Sequence, residues 1–272
     1  MVLFPNCKIN LGLRVLRRRE DGYHDLETVF YPIPLYDILE AVRSPELRFT
    51  PTGRDIPGDA SGNLVLRAFR LLKADFPDLP AVHVYLHKRI PVGGGLGGGS
   101  SDGAWMLRLL NEQFGLDLGM DRMNQYALTL GSDCPFFLRT GPALGRGRGE
   151  QLDPIPIDLS GYSILLINPG IHCITARVFA QCRPDAGGPS LRSIVSTPVP
   201  AWRDTLVNAL EAPVFADYPV LRDIKDQLYE RGALYASVSG SGSCMFGIFR
   251  KGTADDKGWD AAFEVISIPG EK

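Results

Sequence analysis

The chain has 272 residues, 44% of them hydrophobic and 22% charged, with a formal net charge of −2. That length buries a full core and suits one large domain or two modest ones. The near-neutral balance gives no basic footprint for nucleic acid, and no apolar run approaches the ~20 residues of a membrane span, so the expected partner is a small molecule.

From Cys7 to Val15 the pattern alternates, with Ile9, Leu11, Leu13 and Val15 on one face and Lys8, Asn10 and Arg14 on the other, which predicts a half-buried strand. A turn follows at Arg19-Glu20-Asp21-Gly22. Residues 26–42 read as further strands broken at Pro32 and Pro34, and the polar stretch 51–62 as a loop. The spacing of Leu64, Ala68, Leu71 and Leu72 predicts a helix over 63–76. A strand over 82–90 leads into a glycine-rich loop. Helices are predicted over 102–114 and over 121–130, the latter ending at Gly131. Strands follow at 134–144 and 162–168, a loop at 183–200, helices at 202–211 and 218–232, and strands at 235–239 and 244–250. Strands and helices mix without strict βαβ alternation, which favours an α+β class. The run Asp153-Pro154-Ile155-Pro156 sets the expected boundary between an N-terminal domain (1–155) and a C-terminal one (156–272).

Cys7, Cys134, Cys173, Cys182 and Cys244 are scattered, with no C-x-x-C pair, which disfavours a disulfide framework or structural zinc. Reduced thiols in a cytoplasmic protein are expected. The N-terminus lacks the charged and long apolar regions of a signal peptide. His83 and His87 have a spacing that suits zinc on a helix, but in a strand they stand ~13 Å apart and share no ion.

Six of the seven residues from Gly93 to Gly99 are glycine. Such a loop costs conformational entropy and makes sense where main chain must approach a ligand closely. A strand precedes it and a helix follows, so free amides at the positive helix end form a phosphate cradle, with Ser100 and Ser101 as further donors. A P-loop would need a lysine between Gly93 and Asp102, and none is present. Gly93, Gly95 and Gly98 meet the dinucleotide spacing only because a run of glycines meets almost any glycine pattern, and no strand with a terminal acid follows.

The segment Pro91-Val92-Gly93-Gly94-Gly95-Leu96-Gly97-Gly98-Gly99-Ser100-Ser101 resembles the second motif of the GHMP kinases. Val238-Ser239-Gly240-Ser241-Gly242-Ser243-Cys244 is similar to their third motif, and Lys8-Ile9-Asn10-Leu11 to their first. Three further stretches resemble one branch of that family: Asn10 to Leu13 with Arg18 to Leu26, Gly131 to Phe137, and Gly145 to Glu150. That branch phosphorylates a hydroxyl of a methylerythritol bearing a cytidine diphosphate group, on the methylerythritol phosphate route to isoprenoid precursors. The resemblance implies a two-domain fold, with an N-terminal domain like ribosomal protein S5 domain 2 and a ferredoxin-like C-terminal domain. The chain departs from the family at Ser132, often alanine there, and in its Ser-Gly-Ser-Gly-Ser third loop.

The resemblance also implies roles. Asp133 is the base that takes the proton from the acceptor hydroxyl, and Lys8 is its catalytic partner. ATP contacts fall on Pro91, Gly93, Gly94, Gly95, Leu96, Gly97, Gly98, Gly99, Ser100, Ser101 and Asn63. Mg²⁺ arrives with ATP, held mainly by phosphates, with no metal site of the protein's own. Substrate contacts fall on Asn10, Tyr23, His24, Thr175, Phe179, Gly240 and Gly242, with an aromatic ring stacking on the base and the histidine reading its edge. Simpler readings stand beside these: a turn aspartate, a solvated strand lysine, a core phenylalanine and an N-cap asparagine. Lys88 and Arg89 add positive potential before the loop. The alternative is a mevalonate- or homoserine-type kinase, which has no base to stack and so no use for Tyr23-His24. A nucleotide sensor without turnover has no need of Lys8 and Asp133. The expected state is a monomer or weak homodimer, with neither nucleic acid nor membrane as partner.

Overall fold

The computed structural model describes residues 1–270. Its strands are β1 (Val2–Leu3), β2 (Asn6–Arg18), β3 (His24–Tyr36), β4 (Ile38–Arg43), β5 (Arg48–Gly53), β6 (Val82–Lys88), β7 (Ala143–Gly147), β8 (Gln151–Pro154), β9 (Tyr162–Asn168), β10 (Tyr235–Val238), β11 (Met245–Arg250) and β12 (Glu264–Ile268). Its α-helices are α1 (Leu64–Asp75), α2 (Gly98–Phe114), α3 (Met120–Leu130), α4 (Thr175–Gln181), α5 (Leu191–Val195), α6 (Glu211–Asp217) and α7 (Pro219–Glu230). Packing divides the chain into two units, one of residues 1–7, 34–92 and 97–140, the other of residues 8–33, 93–96 and 141 onward.

The first unit is built on the sheet β1-β4-β6-β5, antiparallel except where β5 runs parallel to β6. Helices α1, α2 and α3 pack on one another. Their buried stripes are Val65, Ala68, Phe69 and Leu72 on α1 and Ala104, Met106, Leu107 and Leu110 on α2. Gly103 lets the two helices meet closely, since a Cβ there would stand 2.9 Å from Leu64 Cβ. The start of the stretch expected as loop, 51–62, is strand, because β5 reaches Gly53. Cys134–Leu138 is a 3₁₀ turn rather than a strand. Phe136, Phe137 and Leu138 are all buried, so that apolar run carries no alternation to tell the two apart.

β3, most of which lies in the second unit, runs straight through Pro32 and Pro34 instead of breaking. Its pairing with β7 covers only Leu26 to Phe30, so β7 asks for no amide from either proline. The sheet order here is β2-β3-β7-β8, and a second sheet, β10-β11-β9-β12, is antiparallel throughout. A core of Leu165, Ile167, Val214, Leu221, Ile224, Leu228, Met245 and Phe249 lies under the helices of this unit. The helix expected over 202–211 is absent, and α6 spans Glu211–Asp217. The reason is a competing partner. Leu13 donates its amide to Val207 O at 3.1 Å, and Ala209 N donates to Leu13 O at 2.7 Å, so after one turn at 202–206 the backbone bonds to β2 instead of continuing as helix. The stretch expected as loop at 183–200 contains α5, while α4 and β12 were not expected as elements.

Strand β2 departs from its predicted half-buried form. Lys8 is 3% exposed and Asn10 2%, so its polar face is buried as well. Truncating the core residue Leu228, which is fully buried, to alanine is expected to cost ~2–5 kcal/mol in denaturant unfolding, through lost transfer energy and the cavity left under β11.

Candidate functional site

A buried polar side chain persists only where its hydrogen bonds are made. On β2, Lys8 Nζ donates to Asn10 Oδ1 at 2.6 Å and to Gly95 O at 2.8 Å. Asn10 Nδ2 donates to Thr28 Oγ1 at 2.9 Å, and Thr28 passes its own hydrogen to Gly12 O at 2.7 Å. The solvated-lysine reading of Lys8 therefore fails.

Glycines 93–95 meet the second glycine loop within the same unit. Ser239 Oγ donates to Gly95 O at 2.9 Å, and Cys244 N donates to Gly94 O at 3.1 Å. Gly95 has φ +77°, and a Cβ on it would lie 2.0 Å from Ser239 O, so only glycine fits. Gly240 packs beside Asn10 and Lys8, where a Cβ would stand 3.3 Å from Asn10 Oδ1 and 3.7 Å from Lys8 Nζ. Asn208, which the sequence reading missed, holds this loop from below by donating to Val238 O at 3.0 Å and Gly240 O at 2.8 Å. Lys8, Asn10, Gly95 and Gly240 are thus brought together.

A second cluster gathers the expected substrate residues. The rings of His24 and Phe179 stack with centroids 5.4 Å apart and planes at 28°. Phe179 also packs against the core of this unit, so its core reading holds in part. Tyr23 is 56% exposed, and the Arg148 guanidinium lies 4.4 Å from its ring centroid. Arg148 went unassigned because nothing in its local pattern pointed to an aromatic partner. Thr175 Oγ1 and Ser241 Oγ lie 2.9 Å apart, tying the start of α4 to the second glycine loop. Burial, and then the Arg18 charge, hold the His24 ring below its ordinary pKa, so the imidazole is neutral near pH 7 and offers one donor and one acceptor.

In the first unit, α2 begins at Gly98, earlier than the apolar stripe implied, with Gly97 in the left-handed conformation as its N-cap. Gly98 and Gly99 therefore open the first helical turn, whose amides have no helical carbonyl behind them. Around Gly99 the space is open, with nothing within 4 Å of where a Cβ would stand. Ser101 is fully buried, and its hydroxyl has no hydrogen-bond partner among the described residues. Asn63 caps α1, its side chain accepting from Val65 N at 3.0 Å. Asp133 precedes the 3₁₀ turn that follows α3, and Phe136 N donates to its carbonyl at 3.2 Å. Lys8 and Asp133 fall in different units.

Lys88 does not supply the open positive potential expected of it. It is 4% exposed and paired with both Asp37 and Asp102. Burial would lower its pKa, but the two carboxylates outweigh burial and raise it. Burial also pushes the Asp102 carboxyl up to about 8. His83 and His87 lie on β6 as strand residues and bond to β5, with His83 Nε2 2.8 Å from Thr50 Oγ1 and His87 Nδ1 3.0 Å from Thr52 Oγ1. All five cysteines are free thiols. Among the described residues no group of three or more His, Cys, Asp or Glu side chains is arranged to hold a metal ion, and no helix is long and apolar enough to cross a membrane.

Comparison with known proteins agrees over nearly the whole chain. The family pattern for the GHMP kinases N terminal domain matches residues 63–141, and that for GHMP kinases C terminal matches residues 201–264. A relative from Bacteroides thetaiotaomicron, named 4-diphosphocytidyl-2-C-methyl-D-erythritol kinase, is 46% identical over 95% of this chain and 96% of its own. A crystal structure of 4-(cytidine 5'-diphospho)-2C-methyl-D-erythritol kinase superposes with a TM-score of 0.79 at 34% identity, covering 91% of this chain and 90% of the other. A homoserine kinase from Cytophaga hutchinsonii has the same fold, with a TM-score of 0.69 at 17% identity over 98% of this chain and 96% of its own.

The raised Asp102 pKa has a stability consequence. Between about pH 4 and 8 the unfolded chain ionises this carboxyl while the folded chain keeps it protonated, so folding stability falls as pH rises through that window. Asp102→Asn is expected to flatten that part of a Tm-against-pH curve, leaving the remaining pH dependence in place.

Proposed function

The chain belongs to the GHMP kinases and, within them, to the 4-diphosphocytidyl-2-C-methyl-D-erythritol kinases, and from that membership we propose its reaction and the residues that carry it. It transfers the terminal phosphate of ATP to a hydroxyl of 4-diphosphocytidyl-2-C-methyl-D-erythritol. The two family patterns fall on either side of residue 155, although packing groups residues 8–33 and 93–96 with the chain from 141 onward.

The amides of Gly98, Gly99 and Ser100, at the positive end of α2, bind phosphate oxygens. The open space over Gly99 and the unpartnered Ser101 hydroxyl fit such a ligand. Pro91 and the 93–97 stretch lead the chain to that turn, and Asn63 lies on the adenine side as well as capping α1. Mg²⁺ comes with ATP and neutralises charge on the phosphates.

Asp133 accepts the proton of the acceptor hydroxyl as the new O–P bond forms and the bond to the ADP leaving group breaks. An aspartate is a weak base towards an alcohol, so proton transfer is late and positioning carries much of the rate. Lys8, held by Asn10 and Gly95 O in a fixed direction, supplies a fixed positive charge against the charge that develops. The observation that carries the substrate assignment is the stacked His24–Phe179 pair beside exposed Tyr23. Aromatic faces take a base by stacking, and the neutral imidazole matches the mixed donor and acceptor edge of cytosine. Thr175, Gly240 and Gly242 complete the substrate side. Mevalonate and homoserine offer nothing for these rings to hold.

Purified protein given ATP, Mg²⁺ and the cytidine-bearing substrate is expected to release ADP. No ADP, alongside turnover of mevalonate or homoserine, would falsify the reading. Asp133→Ala is expected to lower kcat by about 10²–10⁴-fold with both substrates still bound. His24→Ala and Phe179→Ala are each expected to raise KM for the cytidine substrate by about five- to a hundredfold, from ~1–3 kcal/mol of lost base contact, and to leave KM for ATP unchanged.

A further inference from the structure

Three charged side chains lie buried in the first unit, outside the residues assigned above. Asp37, between β3 and β4, is fully buried, Asp102 on α2 is 3% exposed and Lys88 at the end of β6 is 4% exposed. Lys88 Nζ donates to Asp37 Oδ2 and, at 2.7 Å, to Asp102 Oδ2. Asp37 Oδ1 accepts two backbone amides, from Arg89 at 2.6 Å and Ile90 at 2.9 Å. Those residues are the last of the chain before it reaches Pro91 and the glycines. Asp102 lies in the opening turns of α2, just after them. Gly98, the first residue of α2, fits against the same cluster, since a Cβ on it would stand 2.9 Å from Ile90 Cγ2 and 3.3 Å from Lys88 Nζ.

Burying two carboxylates and one ammonium brings little net stability, because apolar side chains of similar volume usually serve as well. Directional bonds do fix distances, which apolar packing does not. Asp37 grips the chain that leads into the loop, Asp102 grips the helix that leads out, and Lys88 joins the two.

We propose that Asp37, Lys88 and Asp102 are positioning residues that clamp the two ends of the phosphate loop and so hold the α2 amides in their ATP-binding geometry. This rests on the ATP-binding reading of that loop. Asp102→Ala removes one arm and keeps both Asp37 backbone bonds and the Lys88–Asp37 pair. It is expected to raise KM for ATP by about ten- to a hundredfold, the scale of a small misplacement at a reacting site. KM for the cytidine substrate should stay within about twofold of the wild-type value, and Asp102→Asn, which keeps an oxygen for Lys88, should recover most of the loss. Without ligand, hydrogen exchange at the amides of residues 98–103 should speed up in Asp102→Ala while β6 keeps its protection.

A folded Asp102→Ala protein with wild-type KM for ATP would overturn the clamp. So would a rise in both KM values together in step with a fall in Tm, which marks a merely structural role. Should Asp102→Ala not fold, Asp102→Glu replaces it: the carboxyl group stays and its oxygens move out by one methylene. The clamp requires Glu to impair ATP binding more than Asn does, and the reverse order would overturn it. A wild-type protein that turns over no ATP sinks the functional reading instead, whereas an active wild type with an indifferent Asp102→Ala sinks the clamp alone.

Discussion

The glycine-rich segment is shaped by one close approach. Where a side chain would leave Gly95, Ser239 O stands 2.0 Å from the Cβ position. Any other residue would push the two glycine loops of this unit apart. With the side chain gone, Gly95 O is free to accept from both Lys8 Nζ and Ser239 Oγ, and the neighbouring Gly94 O takes the Cys244 amide. A single missing Cβ thus fixes where a buried ammonium points and where the second glycine loop begins. The entropy cost of so many glycines is what this geometry requires.

Buried charge is the other recurring device. Lys8 and Lys88 are both nearly inaccessible, and both are held by oxygens rather than by packing. They differ in their partners. Among the partners of Lys8 are a neutral amide oxygen and a backbone carbonyl. Lys88 meets two carboxylates, so its charge is consumed locally and what remains is geometry.

How far the sequence is legible follows from the range of the interactions that decide each element. Helix α1 was legible from its apolar period and Asn63 cap, and α3 from its terminal Gly131, all of which lie within or beside the segment. The buried polar face of β2 was not, because alternation says which residues share a face but not whether that face meets water. Lys8 is buried by Gly95, 87 positions away. The false helix at 202–211 has a helical apolar spacing, yet its backbone bonds to Leu13 on β2, and no local window contains that partner. Asp37 and Lys88 are separated by 51 positions, and in the sequence Lys88 looks like any basic residue ahead of a phosphate loop. The motifs themselves were legible because the glycines that permit close approach are local by nature.

The same fold at 17% identity in a homoserine kinase indicates which parts of the molecule the fold leaves open. A phosphate-binding helix end asks only for free amides and room, and it is indifferent to what the phosphate is transferred to. Substrate choice must then rest on side chains the scaffold does not dictate. Tyr23 and His24 follow a tight turn closed by Gly22, and Phe179 rides on the short helix α4. His24 contributes more than a flat surface. Because burial and Arg18 keep its ring neutral, it retains an acceptor nitrogen that a charged imidazole would lose. Cytosine presents an amino donor beside acceptors, and a charged ring with two donors would leave that amino group unmatched. On the role proposed for His24, discrimination would then depend on the electrostatics around one imidazole as well as on the rings that stack.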